Sequence, residues 1–151
     1  MAIFLIDYDG TCVPYLPEPG MCNVDTGAER VLKRISNAGH KLILWTCRNN
    51  SPDNPFNIRE EETPLEEAVR WFRERHIPLD GVNGYKEERE LVGKSRKLFG
   101  EFLIDDTSIG TPLVWGNIEY VAYDTGEIKT DYTYCVDWNR IEQILEEDKV
   151  I

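Results

Sequence analysis

The chain has 151 residues, with 28 acidic and 17 basic side chains and therefore a net charge of −11. At the usual ~150 residues per domain, this length predicts a single domain over residues 1–151. The negative charge excludes nonspecific binding to nucleic acid or to anionic membranes, because both need clustered cations. The sequence has no run near the ~20 apolar residues of a membrane helix and no secretory signal, so we expect a cytoplasmic protein.

The first elements alternate between strand and helix. A short apolar run at 3–6 predicts a buried strand, and a proline-containing loop over 11–24 follows it. Asp25 is the predicted cap of a helix whose apolar residues recur at helical spacing and which ends at Gly39. The next apolar run, 42–45, predicts a second strand, and a loop dense in turn-forming residues comes after it at 49–55.

The same alternation continues toward the end of the chain. Thr63 begins a capping box, with proline at the first helical position, and Pro78 closes that segment. Residues 102–104 form a third apolar run, a weaker strand is expected around 118–123, and Asp137 caps a last helix. Because parallel strands need crossover connections, this order predicts an α/β fold, specifically a three-layer Rossmann-like parallel sheet with helices on both faces.

Polar residues stand where three of the predicted strands end. Asp7 and Asp9 follow the first strand, Thr46 follows the second, and Asp105 and Asp106 follow the third. Since the carboxyl ends of parallel strands meet at one edge, we expect these side chains to converge there. Converging carboxylates repel one another, and Mg²⁺ with oxygen ligands and a substrate phosphate suits such a site.

At this point the sequence resembles the haloacid dehalogenase superfamily of phosphohydrolases. Ile3-Phe4-Leu5-Ile6-Asp7-Tyr8-Asp9-Gly10-Thr11 is similar to its first motif, a hydrophobic strand followed by Asp-x-Asp-x-Thr. Leu42-Ile43-Leu44-Trp45-Thr46 resembles the second motif, and Phe102-Leu103-Ile104-Asp105-Asp106 resembles the paired-aspartate form of the fourth. The three motifs occur in the family's order and span positions 3 to 106.

The resemblance implies a role for each matching residue. Asp7 is expected to be the nucleophile and a metal ligand, forming an aspartyl-phosphate intermediate. Asp9 is expected to be the general acid/base and to bind metal through its backbone carbonyl. Thr46 is expected to hydrogen-bond the transferring phosphoryl group. Of the acidic pair, Asp106 is the expected direct Mg²⁺ ligand, with Asp105 behind it.

The cations and hydroxyls that would hold the phosphate are assigned less uniquely. The family's third motif is a lysine, and both Lys94 and Lys97 are candidates; Lys97 is preferred because it lies immediately before the segment that enters the third strand. Thr11 is expected to hold phosphoryl oxygens. Arg48 begins the loop over the site and is either a forked phosphate contact or an ordinary solvated arginine.

Together these features predict a Mg²⁺-dependent phosphatase acting on a phosphorylated substrate, either a small molecule or a macromolecule. A phosphotransferase on the same scaffold is an alternative, as is a non-catalytic phosphate-binding or receiver-like signalling module. The gap after the first motif, 11–24, is too short for a folded cap domain, and the gap after the second is mostly occupied by a loop and the helix from Thr63, so the chain is expected to lack a cap. Capless relatives act on large substrates or borrow a lid from another subunit, so a homo-oligomer is possible.

Overall fold

Two sheets and three helices make up the described part of the chain. The computed structural model describes residues 1–84 and 97–151, and the prediction for Lys94 falls outside them. The elements are β1 (Ile3–Ile6), β2 (Gly20–Met21), α1 (Ala28–Asn37), β3 (Lys41–Leu44), α2 (Pro64–Glu74), β4 (Gly81–Val82), β5 (Phe102–Ile104), β6 (Leu113–Ala122), β7 (Ile128–Val136) and α3 (Trp138–Glu147). None of these helices is long and apolar enough to cross a membrane.

The four-stranded sheet is parallel throughout, in the order β4-β3-β1-β5. The predicted strands at 3–6 and 102–104 are confirmed, and the second lies one residue earlier than predicted, at 41–44. From β1 the chain crosses to β3 on one side, whereas β5 pairs with the other side of β1. The carboxyl ends of β1 and β5 therefore flank the point where the direction of the connections reverses, which is where open α/β sheets bind ligands.

The core lies mainly on one face of this sheet. Alternate strand residues, such as Phe4 and Leu42, share a buried cluster with the apolar stripes of all three described helices. On the opposite face, Ile3, Leu5 and Ile43 are buried against Leu98, with Trp45 packed beside them. Among the residues described, the helices cover one face. The α/β fold is thus confirmed, and helices on both faces stay a prediction.

A second, antiparallel sheet differs from the prediction. β6 and β7 form a long hairpin, and β2 pairs with β6, giving the order β2-β6-β7. The expected weak strand at 118–123 is the end of β6. Most of the hairpin lies outside the predicted strands because its strands are half-exposed, as antiparallel strands often are, and carry polar residues between the apolar ones, so they form no continuous apolar run.

Two of the three predicted helix caps are confirmed. Thr63 and Glu66 make the reciprocal capping box of α2, and the Asp137 carboxylate accepts from the backbone N–H of Arg140 at the start of α3. For α1 the prediction is wrong. Gly27, in the left-handed region at φ 83°, is the cap residue, and Asp25 instead accepts from the backbone N–H of Gly27.

Candidate metal and phosphoryl-transfer site

Asp7 leaves β1 at the centre of the parallel sheet. Its backbone N–H donates to the carbonyl of Ile104 (3.0 Å), so the end of β1 is fixed against the end of β5. The hydroxyl of Thr11 donates to Asp7 Oδ2 (2.9 Å) and accepts from the backbone N–H of Asp106 (3.1 Å). One buried hydroxyl therefore holds the acidic residues of two strands in register.

Three of the four carboxylates expected at this edge converge there. Asp7, Asp105 and Asp106 each offer an oxygen, and these oxygens lie within 4.8 Å of one another. All three side chains are half-buried. Asp105 also accepts from the backbone N–H and the hydroxyl of Thr107, at 2.8 and 2.6 Å, which fixes its orientation. Both members of the acidic pair thus belong to the cluster, rather than Asp106 alone.

The cluster is electrostatically costly without a cation. Burial, together with the negative charges of Asp105 and Asp106, raises the pKa of Asp7 to about 7, although its hydrogen bonds from Tyr8 and Thr11 oppose the rise. Burial raises the pKa of Asp106 as well, and the charge of Asp105 adds to that effect. A bound divalent cation would favour the ionised forms of the same groups.

The last third of the chain supports this loop in a way the sequence did not predict. The Tyr134 hydroxyl on β7 donates to Asp106 Oδ2 (2.8 Å), and the backbone N–H of Val136 donates to the carbonyl of Gly10 (2.9 Å). The Trp138 indole N–H donates to the carbonyl of Thr11 (2.7 Å). The strand signal that locates Tyr134 is the enrichment of 128–136 in β-branched and aromatic residues, which follows a turn containing Gly126.

Gly10 is required because the Asp106 carboxylate and the Tyr134 ring lie close to its backbone. Its φ is +74°, and a Cβ at this position would lie 2.5 Å from Asp106 Oδ2 and 3.2 Å from the ring of Tyr134. Any side chain here would push on the carboxylate that the cluster uses, in addition to its backbone strain. The glycine of the first motif therefore has a steric reason as well as a conformational one.

Asp9 lies apart from the cluster, held by Arg48. The guanidinium donates from Nε to Asp9 Oδ2 and from Nη2 to Asp9 Oδ1, each at 2.8 Å, which is a bidentate pair. Its Nη1 donates to Glu67 Oε2 (2.7 Å) and to the carbonyl of Pro64 (3.0 Å), and the group lies 4.6 Å from the ring centre of Tyr8. The fork of Arg48 is thus occupied by a carboxylate, an arrangement that neither alternative from the sequence anticipates, and a contact with phosphate stays a prediction.

Thr11 also has a role different from the predicted one. Its side chain is fully buried, and its hydroxyl donates to Asp7 and accepts from Asp106. A hydroxyl with no exposed surface and both functions used cannot also hold a phosphoryl oxygen. The prediction that Thr11 binds substrate is therefore corrected: it positions the acidic residues.

The phosphoryl contact expected of Thr46 stays a prediction. This residue follows β3, next to β1, and its backbone N–H is fixed by the side-chain oxygen of Asn83 (2.8 Å). Its hydroxyl accepts from the backbone N–H of Arg48 (3.2 Å), which leaves the hydroxyl proton to donate outward.

Lys97 is exposed at the entry to β5. The resemblance places a lysine next to Asp7, and the hydrogen bond seen on the Asp7 carboxylate comes from the hydroxyl of Thr11. The assignment of the third motif to Lys97 stays a prediction, and its competitor Lys94 lies among the residues that are not described.

The donor set fits a hard divalent cation. The three clustered groups offer only carboxylate oxygens, the ligands that Mg²⁺ takes, and the four cysteines do not join them. The fold and this edge define an α/β protein with an acidic site at the carboxyl ends of its central parallel strands.

Comparison with known proteins finds a solved structure that is similar over nearly the whole chain, but it assigns the chain to no family. No family model and no curated protein matches the sequence. A solved structure described as that of a conserved protein coded by a locus from Bacteroides thetaiotaomicron is similar, with a TM-score of 0.61 and 26% sequence identity. The match covers 97% of this chain and 91% of that chain. It indicates a shared α/β arrangement and carries no statement of activity.

Proposed function

We propose that this protein is a Mg²⁺-dependent phosphatase of the haloacid dehalogenase type, with a Rossmann-like core and Asp7 as its nucleophile. The observation that carries the proposal is the convergence of Asp7, Asp105 and Asp106, from two strands far apart in sequence, on one point at the switch of the sheet. The first motif also keeps both of its aspartates, which favours an enzyme over a binding module.

The proposed reaction begins at Asp7. One carboxylate oxygen attacks phosphorus, the bond from phosphorus to the leaving oxygen breaks, and an aspartyl phosphate forms on this side chain. Thr11 fixes the rotamer of Asp7 through Oδ2, so that the carboxylate enters the reaction already oriented. A bound Mg²⁺, held by Asp7, Asp105 and Asp106, would supply charge stabilisation for the phosphoryl oxygens.

Asp9 is the proposed proton donor to the leaving oxygen and the base that then activates water. Arg48 uses two of the roughly four lone-pair positions of this carboxylate. The side chain is 44% exposed, so the remaining positions are open to the leaving group and to water. Thr46 donates to a phosphoryl oxygen in the same scheme.

The direct test is hydrolysis of an aryl phosphate by the purified protein. We expect turnover with Mg²⁺, its loss in chelator and its recovery when Mg²⁺ is restored. Asp7→Asn is expected to abolish turnover, because the amide cannot form the acyl phosphate, and to leave the circular dichroism spectrum unchanged. A protein that binds Mg²⁺ but turns over nothing in a broad panel of phosphate esters would contradict the proposal.

A phosphotransferase would use the same residues and differ only in what accepts the phosphoryl group. Adding increasing concentrations of small alcohols and measuring inorganic phosphate against new phosphate ester separates the two. We expect inorganic phosphate to remain the main product. A shift of most of the phosphoryl group to the alcohol would instead identify a transferase.

A further inference from the structure

A cavity of about 480 Å³ is lined in part by Tyr8 and Asp9, the two residues that follow Asp7 in the chain. Its walls are the loop at 13–23, the segment that follows Thr46, and α2. Asp9 lines the cavity, whereas Asp7, Asp105 and Asp106 do not. The volume is within the 300–1,000 Å³ typical of small-molecule sites. A general acid faces the group that departs, so a cavity on the side of Asp9 is where the leaving group of a phosphate ester belongs.

The outer wall of the cavity is fixed in place by the antiparallel sheet. The backbone N–H of Tyr15 donates to the carbonyl of Tyr134 (2.9 Å), and Glu18 accepts from Lys129 (2.6 Å) and from the Tyr120 hydroxyl (3.0 Å). β2, at the end of this loop, is the third strand of that sheet. The cavity is therefore a preformed feature of the fold.

The charges around the cavity are already compensated. Four arginines and five acidic residues line it, and each arginine forms an ion pair. Arg59 pairs with Glu61 at 2.8 Å, and Arg70 with Glu62 at 2.6 Å. A second phosphate on the leaving group would have to take an arginine from its carboxylate partner. The carboxylate would then lie unpaired beside the phosphate, and this loss and repulsion oppose binding. The lining thus favours a leaving group without charge.

Aromatic rings supply part of the apolar lining, beside aliphatic residues such as Leu16 and Met21. Tyr8, Trp71 and Tyr123 each contribute to it, and each ring carries a guanidinium on one face, at 4.6, 4.3 and 4.4 Å. The rings offer a flat apolar surface, and the carboxylates and guanidinium groups beside them offer hydrogen-bond acceptors and donors. This combination complements a ring that bears hydroxyl groups.

We infer that this cavity holds the leaving half of a small phosphate monoester, and that this half is a neutral, hydroxylated ring of sugar or nucleoside type. The inference rests on the proposed function. When Asp7 attacks, the bond from its carboxylate oxygen to phosphorus forms and the ester P–O bond breaks. The leaving ester oxygen takes a proton from Asp9, and the neutral alcohol remains in the cavity. This differs from the expectation that a capless chain acts on large substrates.

The first experiment compares substrates that differ by one phosphate. Sugar monophosphates and nucleoside monophosphates are assayed against the matching sugar bisphosphates and nucleoside diphosphates, with acetyl phosphate as a substrate that has no ring. We expect kcat/KM to favour the monoesters of at least one ring type by about tenfold or more. Equal or better turnover of the doubly phosphorylated compounds would overturn the inference. The ring type that is preferred identifies the source.

The second experiment fills the cavity with a group attached to Cys47, an exposed thiol in its lining. To make the labelling specific, Cys22 is replaced by serine, and Cys12 and Cys135 are buried. A bulky maleimide adduct at Cys47 is expected to raise KM for the preferred ring monoester by about tenfold or more and to leave acetyl phosphate turnover little changed. A methyl disulfide at the same thiol is the matched control and should change neither. Ring substrates indifferent to the bulky adduct would overturn the inference.

A readout without turnover separates the two proposals. In Asp7→Asn, we expect the preferred ring monoester to slow alkylation of Cys47, whereas inorganic phosphate should not. If the wild type shows no turnover, each ring monoester of the panel is tested in turn. Absence of protection by every ring monoester overturns the cavity assignment. Protection in a protein whose wild type hydrolyses nothing supports the cavity assignment and overturns the phosphatase.

Discussion

At the scale of residues, Arg48 holds the carboxylate that the proposed reaction uses as its acid and base. It is 20% exposed and joins Asp9, Glu67 and the carbonyl of Pro64, and thereby ties the loop after β1 to the start of α2. An ammonium cannot reproduce two parallel donors, so the position of Asp9 depends on the guanidinium itself.

We expect Arg48→Lys to lower kcat by about 10- to 100-fold, equivalent to about 1.4–2.8 kcal/mol, while KM changes little. The reason is that Asp9 loses its fixed orientation, whereas Asp7 and the cation ligands keep theirs. Steady-state kinetics with an alkyl phosphate, whose leaving oxygen needs a proton, measures this. Arg140→Lys, on the exposed surface of α3, is the matched control. A kcat near that of the wild type would show that Asp9 does not depend on Arg48.

The lysine of the third motif is the second question at the scale of residues. We expect Lys97→Ala to lower the rate by roughly ten- to a few-hundred-fold even at high salt, because loss of a charge-assisted contact costs about 1.5–3 kcal/mol. Lys94→Ala should change it only a few-fold, through a field that salt screens. Rates at low and high ionic strength distinguish them, and the reverse pattern would assign the motif to Lys94.

At the scale of elements, the β6–β7 hairpin completes the site. Through Tyr134, Val136 and the following Trp138, it contacts the acidic residue Asp106 and the backbone of the first motif. Side chains that hydrogen-bond to the ligands of a metal ion hold those ligands in position. Their loss typically weakens metal binding by about 10- to 100-fold. The last third of the chain is therefore part of the site rather than an appendage.

Tyr134→Phe tests this support. We expect the affinity for Mg²⁺ to fall by about tenfold or more, because Asp106 loses the donor that orients it. Calorimetric titration of the purified protein with Mg²⁺ measures the change. Tyr132→Phe is the control, since this tyrosine lies two residues away on the same strand and is 67% exposed. Equal affinities in the two variants would mean that the hairpin only packs against the site.

At the scale of the whole molecule, an acidic protein concentrates further negative charge at one edge. Because the pKa of Asp7 is raised to about 7 in the folded protein from an ordinary value of 3.8, the native state binds the proton more tightly than the unfolded state. The stability gained in this way is complete below about pH 4 and is lost as the pH rises through about 7.

We therefore expect the free energy of unfolding, measured in chelator by denaturant titration, to fall between pH 5 and pH 8. Asp7→Asn should flatten this dependence, which separates the local effect from the general repulsion of a chain with net charge −11. Saturating Mg²⁺ should stabilise the wild type more at pH 8 than at pH 5, since the cation competes with the proton. A wild type whose stability rises over this range in chelator would contradict the assignment.

The sequence by itself determined the elements whose signal is local. Continuous apolar runs located β1, β3 and β5, and the capping residues Thr63 and Asp137 located two helix starts. Because parallel strands end at a common edge, the same runs also predicted that four carboxylates would meet, and all but Asp9 do so. These inferences need only periodicity, chain geometry and the chemistry of a strand end.

Only the tertiary structure decided which polar group meets which. Thr11 and Arg48 had the chemistry to hold a phosphate, but Thr11 is buried between two strand ends and Arg48 is taken by Asp9. Their partners lie 95 and 39 residues away, at distances that depend on how the strands and loops pack. The hairpin that carries Tyr134 likewise acquires its role through contact with a loop more than a hundred residues earlier, because long-range packing, rather than local propensity, brings the two together.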